Sequence, residues 1–459
     1  MRMLRTWTIA LTLTALALPA LADGRKQVEE AVSAIEQGKH EAALKVAAEV
    51  PAGDPFRADA QFCVGYASAQ TRSWEKAVAA YREVVKLRPD DSRAWNNLGA
   101  ALDEQGKLTD AIEAYDRAVA ADPTWAAAWN NKGVTLDKLG DGDKAAAMFR
   151  AAIKLDPEYA APHNNLGAHL YEVGDRAGAE KAWREAARID PKYVSPIVNV
   201  SVLDYEGDKG TVAETRLRLL VKEGRATAEV WFNLGIIAYR RHNIDGALEA
   251  MEKADELRPN DPETQNNLGV LNYMKGNYRR AEHVLRSAVE KRPDQPKSWD
   301  NLGLVLYRTN RYPEAREAFG KEVALAPQSS DGHYNLGCAL AADNKVDEAI
   351  VSFQRALAIQ PVHIEAMHNL AVLQGEKKDA NPAAQRELLE RIVKTDPNYA
   401  PGRLSLGRFY QTEPQFRDLS KALEQYQEYV KLEQDDRESV AQVARTIQAI
   451  KGTRATVGK

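Results

Sequence analysis

The sequence predicts an all-α solenoid built from paired helices, because small residues and prolines recur along it with one fixed spacing. A glycine recurs every 34 residues, an alanine follows each glycine after twelve residues, and prolines keep the same step. Periods of roughly 20 to 50 residues indicate stacked repeats, each of which packs only on its neighbours. The periodic residues are the glycines Gly65, Gly99, Gly133, Gly167, Gly235, Gly269, Gly303 and Gly337, and the alanines Ala77, Ala111, Ala145, Ala179, Ala247, Ala281, Ala315 and Ala349.

The start of the chain differs from everything that follows it. Arg2 and Arg5 precede an apolar run at 7–18, and small residues at 20 and 22 precede Asp23. This pattern predicts a secretory signal peptide that is cleaved after residue 22, and it is too short for a membrane span. No later segment reaches 18 uninterrupted apolar residues. We therefore expect an exported, periplasmic protein with no membrane span.

The repeat at 92–125 shows the predicted first helix. Gly106 follows its last periodic residue, where a left-handed helix cap is expected. Apolar residues at steps of three and four define one face of an amphipathic helix. That face carries Trp95, Leu98, Gly99 and Leu102.

The second helix of the same repeat carries Ala111, Tyr115 and Ala118 on its packed face, and it ends before Pro123. Proline cannot continue a helix, so it fixes the boundary between repeats. Gly99 and Ala111 are small because the two helices approach each other closely, and a larger side chain would overpack the interface.

These residues resemble the tetratricopeptide repeat, in which Trp, Leu-Gly, a later Ala, an aromatic residue, Ala and Pro keep this spacing. The resemblance implies a right-handed superhelical solenoid of about twelve helix-turn-helix repeats, closed by a C-terminal capping helix. The predicted segments are a signal peptide at 1–22, a degenerate first repeat at 23–57, nine 34-residue repeats at 58–363 of which 194–227 is degenerate, two lengthened repeats at 364–433, and a capping helix and tail at 434–459.

By the same resemblance, the first helix of each repeat lines the concave side. Two residues before each glycine the chain carries an unbroken row of asparagines, which persists even in the degenerate repeat, where Ser201 and Arg225 replace glycine and proline. An amide both donates and accepts, so such a row can bind the backbone of an extended peptide. It resembles the asparagine ladder in the repeat domain of O-linked N-acetylglucosamine transferase, although no glycosyltransferase domain follows here. The row is Asn97, Asn131, Asn165, Asn199, Asn233, Asn267, Asn301, Asn335 and Asn369.

A second row lies four residues after the glycine position and consists of tyrosines. Apolar residues lie between the two rows. The tyrosines and these apolar residues are predicted to contact the side chains of a bound peptide. The alternative is that both rows are simply common at these positions of the family. The tyrosines are Tyr171, Tyr205, Tyr239, Tyr273 and Tyr307.

Other functional classes find little support in the sequence. The net charge of −4 does not favour nucleic acid as a partner. Basic groove residues are isolated, which disfavours the carboxylate clamp of chaperone-binding family members. The eight histidines are scattered, and no nucleophile, phosphate-loop or zinc signature appears. We therefore predict no enzyme activity, no cofactor and no metal site.

The sequence thus predicts an exported adaptor that binds an extended or helical segment of a partner protein in its concave groove. The alternative is a structural or self-associating subunit of a cell-envelope complex, such as export or polysaccharide-handling machinery, which uses its convex faces or ends. Cys63 and Cys338 are eight repeats apart, so we expect them to be packing residues, with pairing between molecules as the alternative.

Overall fold

The structure is a computed structural model that describes residues 22–377 and 380–457. Every regular element among these residues is an α-helix, which confirms the predicted all-α class. The predicted signal peptide lies outside the described residues, apart from Ala22. The chain divides into two compact units, 1–233 and 234–459, which we call the N-terminal unit and the C-terminal unit.

The N-terminal unit contains six helix pairs and the beginning of a thirteenth helix. The helices are α1 (Ala22–Glu36), α2 (His40–Ala48), α3 (Arg57–Gln70), α4 (Trp74–Leu87), α5 (Ser92–Glu104), α6 (Leu108–Ala121), α7 (Ala126–Lys138), α8 (Gly142–Leu155), α9 (Ala160–Glu172), α10 (Arg176–Ile189), α11 (Val194–Glu206) and α12 (Gly210–Lys222), and the boundary between the units falls within α13 (Ala228–Arg240).

The C-terminal unit continues the same alternation and ends with one longer helix. Its remaining helices are α14 (Ile244–Leu257), α15 (Pro262–Met274), α16 (Tyr278–Lys291), α17 (Pro296–Arg308), α18 (Tyr312–Leu325), α19 (Ser330–Ala342), α20 (Val346–Ile359), α21 (Ile364–Glu376), α22 (Pro382–Thr395), α23 (Ala400–Thr412), α24 (Leu419–Leu432) and α25 (Arg437–Val457).

Within each unit the helices stack in sequence order. The first helix of a repeat contacts its own second helix, and that second helix contacts the first helix of the next repeat. First helices of consecutive repeats also contact each other, as α5 does with α7 and α15 does with α17. In each unit the first helices therefore form one continuous layer, whose outer surface we call the first-helix face.

The periodic glycines are explained by a large side chain that lies against each of them. A Cβ atom at Gly99 would come within 2.8 Å of the Tyr115 ring, and one at Gly133 within 2.6 Å of the Phe149 ring. Both partners lie 16 residues later, on the second helix of the same repeat. The glycine and the aromatic residue thus form one packing unit, and the predicted close approach of the two helices is confirmed.

The predicted left-handed caps also form at the ends of the first helices. Gly106 has a φ of +76° and Asn310 one of +61°. Arg72, Asp208 and His242 adopt the same conformation at equivalent positions, although glycine is the residue that adopts it most readily. The spacing of the repeats therefore imposes the left-handed cap even where the residue type does not favour it.

The degenerate repeat at 194–227 keeps its helix pair. Ser201, which replaces the glycine, is buried, and its Oγ donates to the Ile197 carbonyl at 2.8 Å. Ala213 and Leu217 are fully buried on the facing helix. The register of the array therefore passes through this repeat unchanged.

The last helix packs on the preceding repeat. Val443 and Ile450 of α25 belong to one apolar cluster with Tyr426 and Tyr429 of α24. This is the packing that a capping helix requires. Among the described residues, no helix combines the length and the apolar character that a membrane crossing needs.

Candidate functional site

In the N-terminal unit the predicted asparagine row is part of a buried chain of amides that links successive repeats. Each amide donates through Nδ2 to the Oδ1 of an asparagine 35 residues earlier, and the doubled asparagines also bond to each other within a repeat at 3.3–3.4 Å. Asn97 begins the row and donates to the Tyr81 hydroxyl at 3.4 Å. The pairs between repeats are Asn131–Asn96 and Asn165–Asn130 at 3.0 Å, and Asn199–Asn164 at 3.1 Å.

The row changes its hydrogen bonding at two consecutive repeats. Asn233 and Asn267 donate instead to the carbonyl four residues earlier in their own helices, at 2.8 and 2.9 Å. At the acceptor position of the preceding repeats the chain carries Val198 and Phe232, whose side chains have no acceptor atom. The residue that precedes each asparagine therefore decides whether the next repeat can bond to it.

The ladder between repeats resumes in the C-terminal unit with a different set of acceptors. The donors here are only partly buried, whereas Asn97, Asn131, Asn165 and Asn199 are fully buried. The pairs are Asn301–Asn266 Oδ1 at 2.9 Å, Asn335–Asp300 Oδ1 at 2.9 Å and Asn369–Cys338 Sγ at 3.6 Å.

These contacts make the asparagines less accessible to a ligand than the sequence suggested. A buried amide that already bonds to its neighbour can reach a ligand only if the ladder breaks, and an unpaired buried amide costs about 1–3 kcal/mol. The doubled asparagines were the sequence signal for this arrangement, since the first member accepts from the second member of the next repeat. Peptide binding by the row stays a prediction.

Two tyrosines of the row are exposed at the protein surface, and the other three are partly buried. Tyr239 is 40 % exposed and Tyr307 is 36 % exposed, while Tyr273 is partly buried. The ring of Tyr273 lies 5.6 Å from that of Tyr278, and the ring of Tyr307 lies 5.4 Å from that of Tyr312. Tyrosines held by a neighbouring ring on the first-helix face offer a rigid, partly apolar contact surface.

In the N-terminal unit one tyrosine of the row, Tyr171, makes polar contacts. The Tyr171 hydroxyl donates to Oε1 of Glu206 at 2.6 Å, and the Arg176 guanidinium lies 5.5 Å from the Tyr171 ring centroid. The hydrogen bond to Glu206 and partial burial raise the pKa of Tyr171. Tyr205 of the next repeat is partly buried.

The two cysteines are in environments that suppress thiol reactivity. Cys63 is fully buried, and burial together with the nearby Asp59 raises its pKa to about 12. Burial also raises the pKa of Cys338, which accepts from Asn369. A raised pKa lowers the thiolate fraction, so both residues behave as packing residues. Among the described residues, no group of three metal-ligating side chains comes together.

Sequence reasoning missed one anomalous side chain. Nineteen residues after the glycine position, eight of the nine tandem repeats carry alanine, valine or leucine, and Glu322 stands at this position in α18. Glu322 is only 6 % exposed, and its Oε1 accepts from the Ser329 hydroxyl at 3.2 Å. A Cβ at Gly332 would lie 2.5 Å from that oxygen, so the glycine leaves room for the carboxyl group.

The surroundings of Glu322 favour its protonated form. Burial, and then the nearby Asp300 and Asp331 carboxylates, raise its pKa to about 7. Burial also raises the pKa of Asp300, which accepts from Asn335. The sequence signal was the single break in an otherwise apolar in-phase position.

Models of the tetratricopeptide repeat match most of the described array. Together they match more than half of the chain. The matched residues are 28–91, 69–124 and 267–330 by one model, 126–159 by a second, and 228–261 and 330–361 by a third.

Solved structures with a similar fold share little sequence with the chain. A tetratricopeptide repeat protein from Parabacteroides merdae ATCC 43184 is 13 % identical, with 55 % of this chain and 99 % of that chain covered and a TM-score of 0.47. Yeast Tom70 is 15 % identical, with 94 % and 96 % covered and a TM-score of 0.38. The MamA RS-1 ArsTM double mutant is 24 % identical, with 37 % and 94 % covered and a TM-score of 0.35. No curated protein sequence matches the chain.

Proposed function

We propose that this chain, which belongs to the tetratricopeptide repeat family, is an exported adaptor without enzyme activity that binds a segment of a partner protein along its first-helix face. The observation that carries the proposal is the tyrosine row of the C-terminal unit. Tyr239 and Tyr307 keep more than a third of their surface exposed on first helices. Exposed aromatic side chains are enriched at protein interfaces and supply a large share of binding energy there.

The site we propose contains fewer of the asparagines than the sequence suggested. The buried asparagines of the N-terminal unit hydrogen-bond successive repeats to each other. In the C-terminal unit, Asn267 is partly buried and its amide donates only within its own helix. Its Oδ1 is therefore an acceptor that a peptide N–H can use without breaking the ladder. Val270, beside it on α15, is partly buried and adds an apolar contact.

Export of the protein is also part of the proposal. Its support is the basic, then apolar, then small-residue pattern of residues 1–22, which is the pattern of a cleaved leader. Amino-terminal sequencing of the secreted or periplasmic fraction tests it directly. A mature protein beginning at Asp23 supports export, and an intact Met1 in the cell interior contradicts it.

Site-specific photo-crosslinking in cells tests the groove. A photoreactive residue at Tyr239 or Tyr307 should trap one defined protein, because both positions lie on the first-helix face. The matched control is the same residue at Lys253 or Glu249 on the second helix α14, which is solvent-exposed. Equal trapping from α14 and from the tyrosines would contradict the groove assignment.

A second candidate function, self-association or packing within a larger envelope complex, is favoured by one observation. Val212 and Leu219 of α12 are 48 % and 52 % exposed, seven residues apart on one helix face. Most other tandem repeats carry charged, glycine or alanine residues at these two positions. Light scattering of the full chain and of Val212→Lys/Leu219→Lys separates the candidates. A larger mass that falls to the monomer in the double variant favours self-association.

A further inference from the structure

A pocket of about 370 Å³ lies in the N-terminal unit between the first two repeats. Its walls come from the second helices α2 and α4, and its floor comes from the first helix α3. This places it away from the asparagine and tyrosine rows. The lining residues used below are Leu44, Gln61, Val64, Ser68, Ala79 and Ala80.

The pocket exists because this repeat lacks the large side chains that the two following repeats have. Gln61 and Ser68 stand where the next repeat has Trp95 and Leu102. In that next repeat, Trp95 packs against an apolar cluster that contains Leu98 and Leu102. The second repeat therefore has the helices of its neighbours but not the indole and isobutyl groups that occupy the corresponding space.

The floor of the pocket carries two polar side chains, and the hydroxyl of one of them has no hydrogen-bond partner in the part of the chain that the structure describes. Ser68 is fully buried, and its Oγ has no hydrogen-bond partner among the described residues. Gln61 is 8 % exposed. A buried hydroxyl without a partner costs about 1–3 kcal/mol, so a ligand that bonds to it recovers that free energy.

The mouth of the pocket carries one cation that is available to a ligand. Glu83 accepts from the Arg57 guanidinium at 2.8 Å, so these two charges neutralise each other. Lys76, at the same rim, is exposed, and it forms no ion pair within the described part of the chain. Because Glu83 is paired with Arg57, the charge at the rim that lacks an ion-pair partner among the residues described is that of Lys76, which favours an anionic group beside the apolar cavity.

We propose that this pocket binds a tryptophan side chain of a partner polypeptide, with a carboxylate next to that tryptophan at Lys76. The indole ring occupies the space between Leu44, Val64 and Ala80, and its N–H donates to Ser68 Oγ. Buried tryptophan needs a partner for its N–H, and the unpaired hydroxyl supplies one. The volume lies at the lower end of the range for ligand pockets, about 300–1,000 Å³, which suits one large side chain.

This site is independent of the proposed groove. It lies between second helices, so loss of groove binding leaves it intact. A partner that inserts a tryptophan here would be anchored near the start of the array, since an aromatic anchor in a pocket is the usual centre of binding energy at an interface.

Titration of the full chain with N-acetyl-5-fluorotryptophan, followed by fluorine NMR, tests the proposal. The probe carries both the indole and the carboxylate. Ser68→Leu introduces the side chain that the two following repeats carry, so it should fill the pocket, keep or raise the melting temperature, and weaken binding at least about tenfold. Lys76→Gln should weaken binding of this acid but leave binding of the corresponding amide unchanged.

The matched control is Ala238→Leu, which adds the same group at the same register of a later repeat. Saturable binding that Ser68→Leu abolishes and Ala238→Leu preserves supports the site. Equal binding by Ser68→Leu, or no saturable binding by the native chain, overturns it. Binding that appears only after Trp7→Ala assigns the pocket to the chain's own leader, and release of a dimer by the probe assigns it to a second copy; either result overturns the partner assignment.

Discussion

The two units carry the same row of asparagines but use it in different ways. In the N-terminal unit, Asn131 and Asn165 are fully buried and continue a chain of amides from repeat to repeat. In the C-terminal unit, Asn267 bonds within its own helix and Asn335 bonds to a carboxylate. An identical residue at an identical repeat position therefore has a role that depends on its neighbour one repeat away.

This difference separates contacts that form within one repeat from contacts that need residues of two repeats. The glycine and the large side chain that packs on it belong to one repeat, so this packing recurs from repeat to repeat. The asparagine and its acceptor belong to two repeats, so their bonding follows the acceptor. Three predictions test this distinction, beginning with the largest effect.

The largest effect should be equal in both units. Gly133→Leu and Gly303→Leu each drive a side chain into the ring that lies 2.6 Å from the Cβ position, Phe149 or Phe319. Overpacking of this kind should lower the free energy of unfolding by about 3 kcal/mol. Hydrogen exchange of the affected repeat measures the loss locally, because long arrays need not unfold in two states.

The control for this prediction is Gly320→Ala in the interior of α18, where nothing lies within 4 Å of the Cβ position. It should be neutral or slightly stabilising, since alanine favours a helix over glycine. A large loss in one unit and none in the other would show that the two units are packed differently within a repeat.

The second effect depends on pH and belongs to the C-terminal unit alone. The pKa of Glu322 is about 7 in the folded chain against a usual 4.5, so the folded state holds a proton that the unfolded state has lost between these values. The free energy of unfolding of the native chain should therefore fall as the pH rises from about 4.5 to 7. Glu322→Gln removes this dependence.

Urea unfolding of the two proteins at pH 4.5 and at pH 8 measures the change. The stability of Glu322→Gln relative to the native chain should increase by about 1–3 kcal/mol between these pH values. The matched control is Glu317→Gln, an exposed position on the same helix, which should show no such change. An identical pH dependence for Glu322→Gln and the native chain contradicts the buried, protonated state.

The smallest effect contrasts an asparagine that bonds to the preceding repeat with an asparagine that bonds within its own helix. Asn131→Ala leaves the buried Oδ1 of Asn96 without its donor, and it should cost about 2 kcal/mol. Asn267→Ala removes only a bond within one helix at a partly exposed site, and it should cost about 0.5 kcal/mol or less. Thermal unfolding and hydrogen exchange of the two variants give the comparison.

A double-mutant cycle sharpens this last contrast. Asn96→Ala and Asn131→Ala should be strongly non-additive, because each removes the same hydrogen bond. Additive effects for this pair, or equal losses for Asn131→Ala and Asn267→Ala, would show that the ladder contributes nothing to the stacking of the repeats.

The fold was largely predictable, since its signals lie within one repeat. The step of 34 residues, the glycine at Gly99 and the helix stop at Gly106 define a helix pair by local packing and backbone conformation alone. The left-handed cap at His242 was not predictable from residue type, because residues other than glycine seldom adopt that conformation. There the repeat geometry overrides the local preference.

The site was less predictable. The tyrosine row at Tyr239 and Tyr307 lies at the surface, as the pattern indicated. The asparagine row was interpreted without its acceptors, although the doubled residues at Asn130 and Asn131 contained the information. Glu322 was overlooked because a single glutamate on a helix usually reads as a solvated residue.

The sequence by itself determined that this chain is a stack of helix pairs, where each pair begins and ends, and which small residues separate its helices. Those properties follow from contacts between residues of one repeat, and a repeated pattern displays them many times. Only the tertiary structure decided which amides bond across repeats and which glutamate is buried. It also decided where a repeat without the in-phase tryptophan contains a pocket. The physical reason is that hydrogen-bond partners and burial are set by neighbours about 35 residues away, whose identity changes from one repeat to the next.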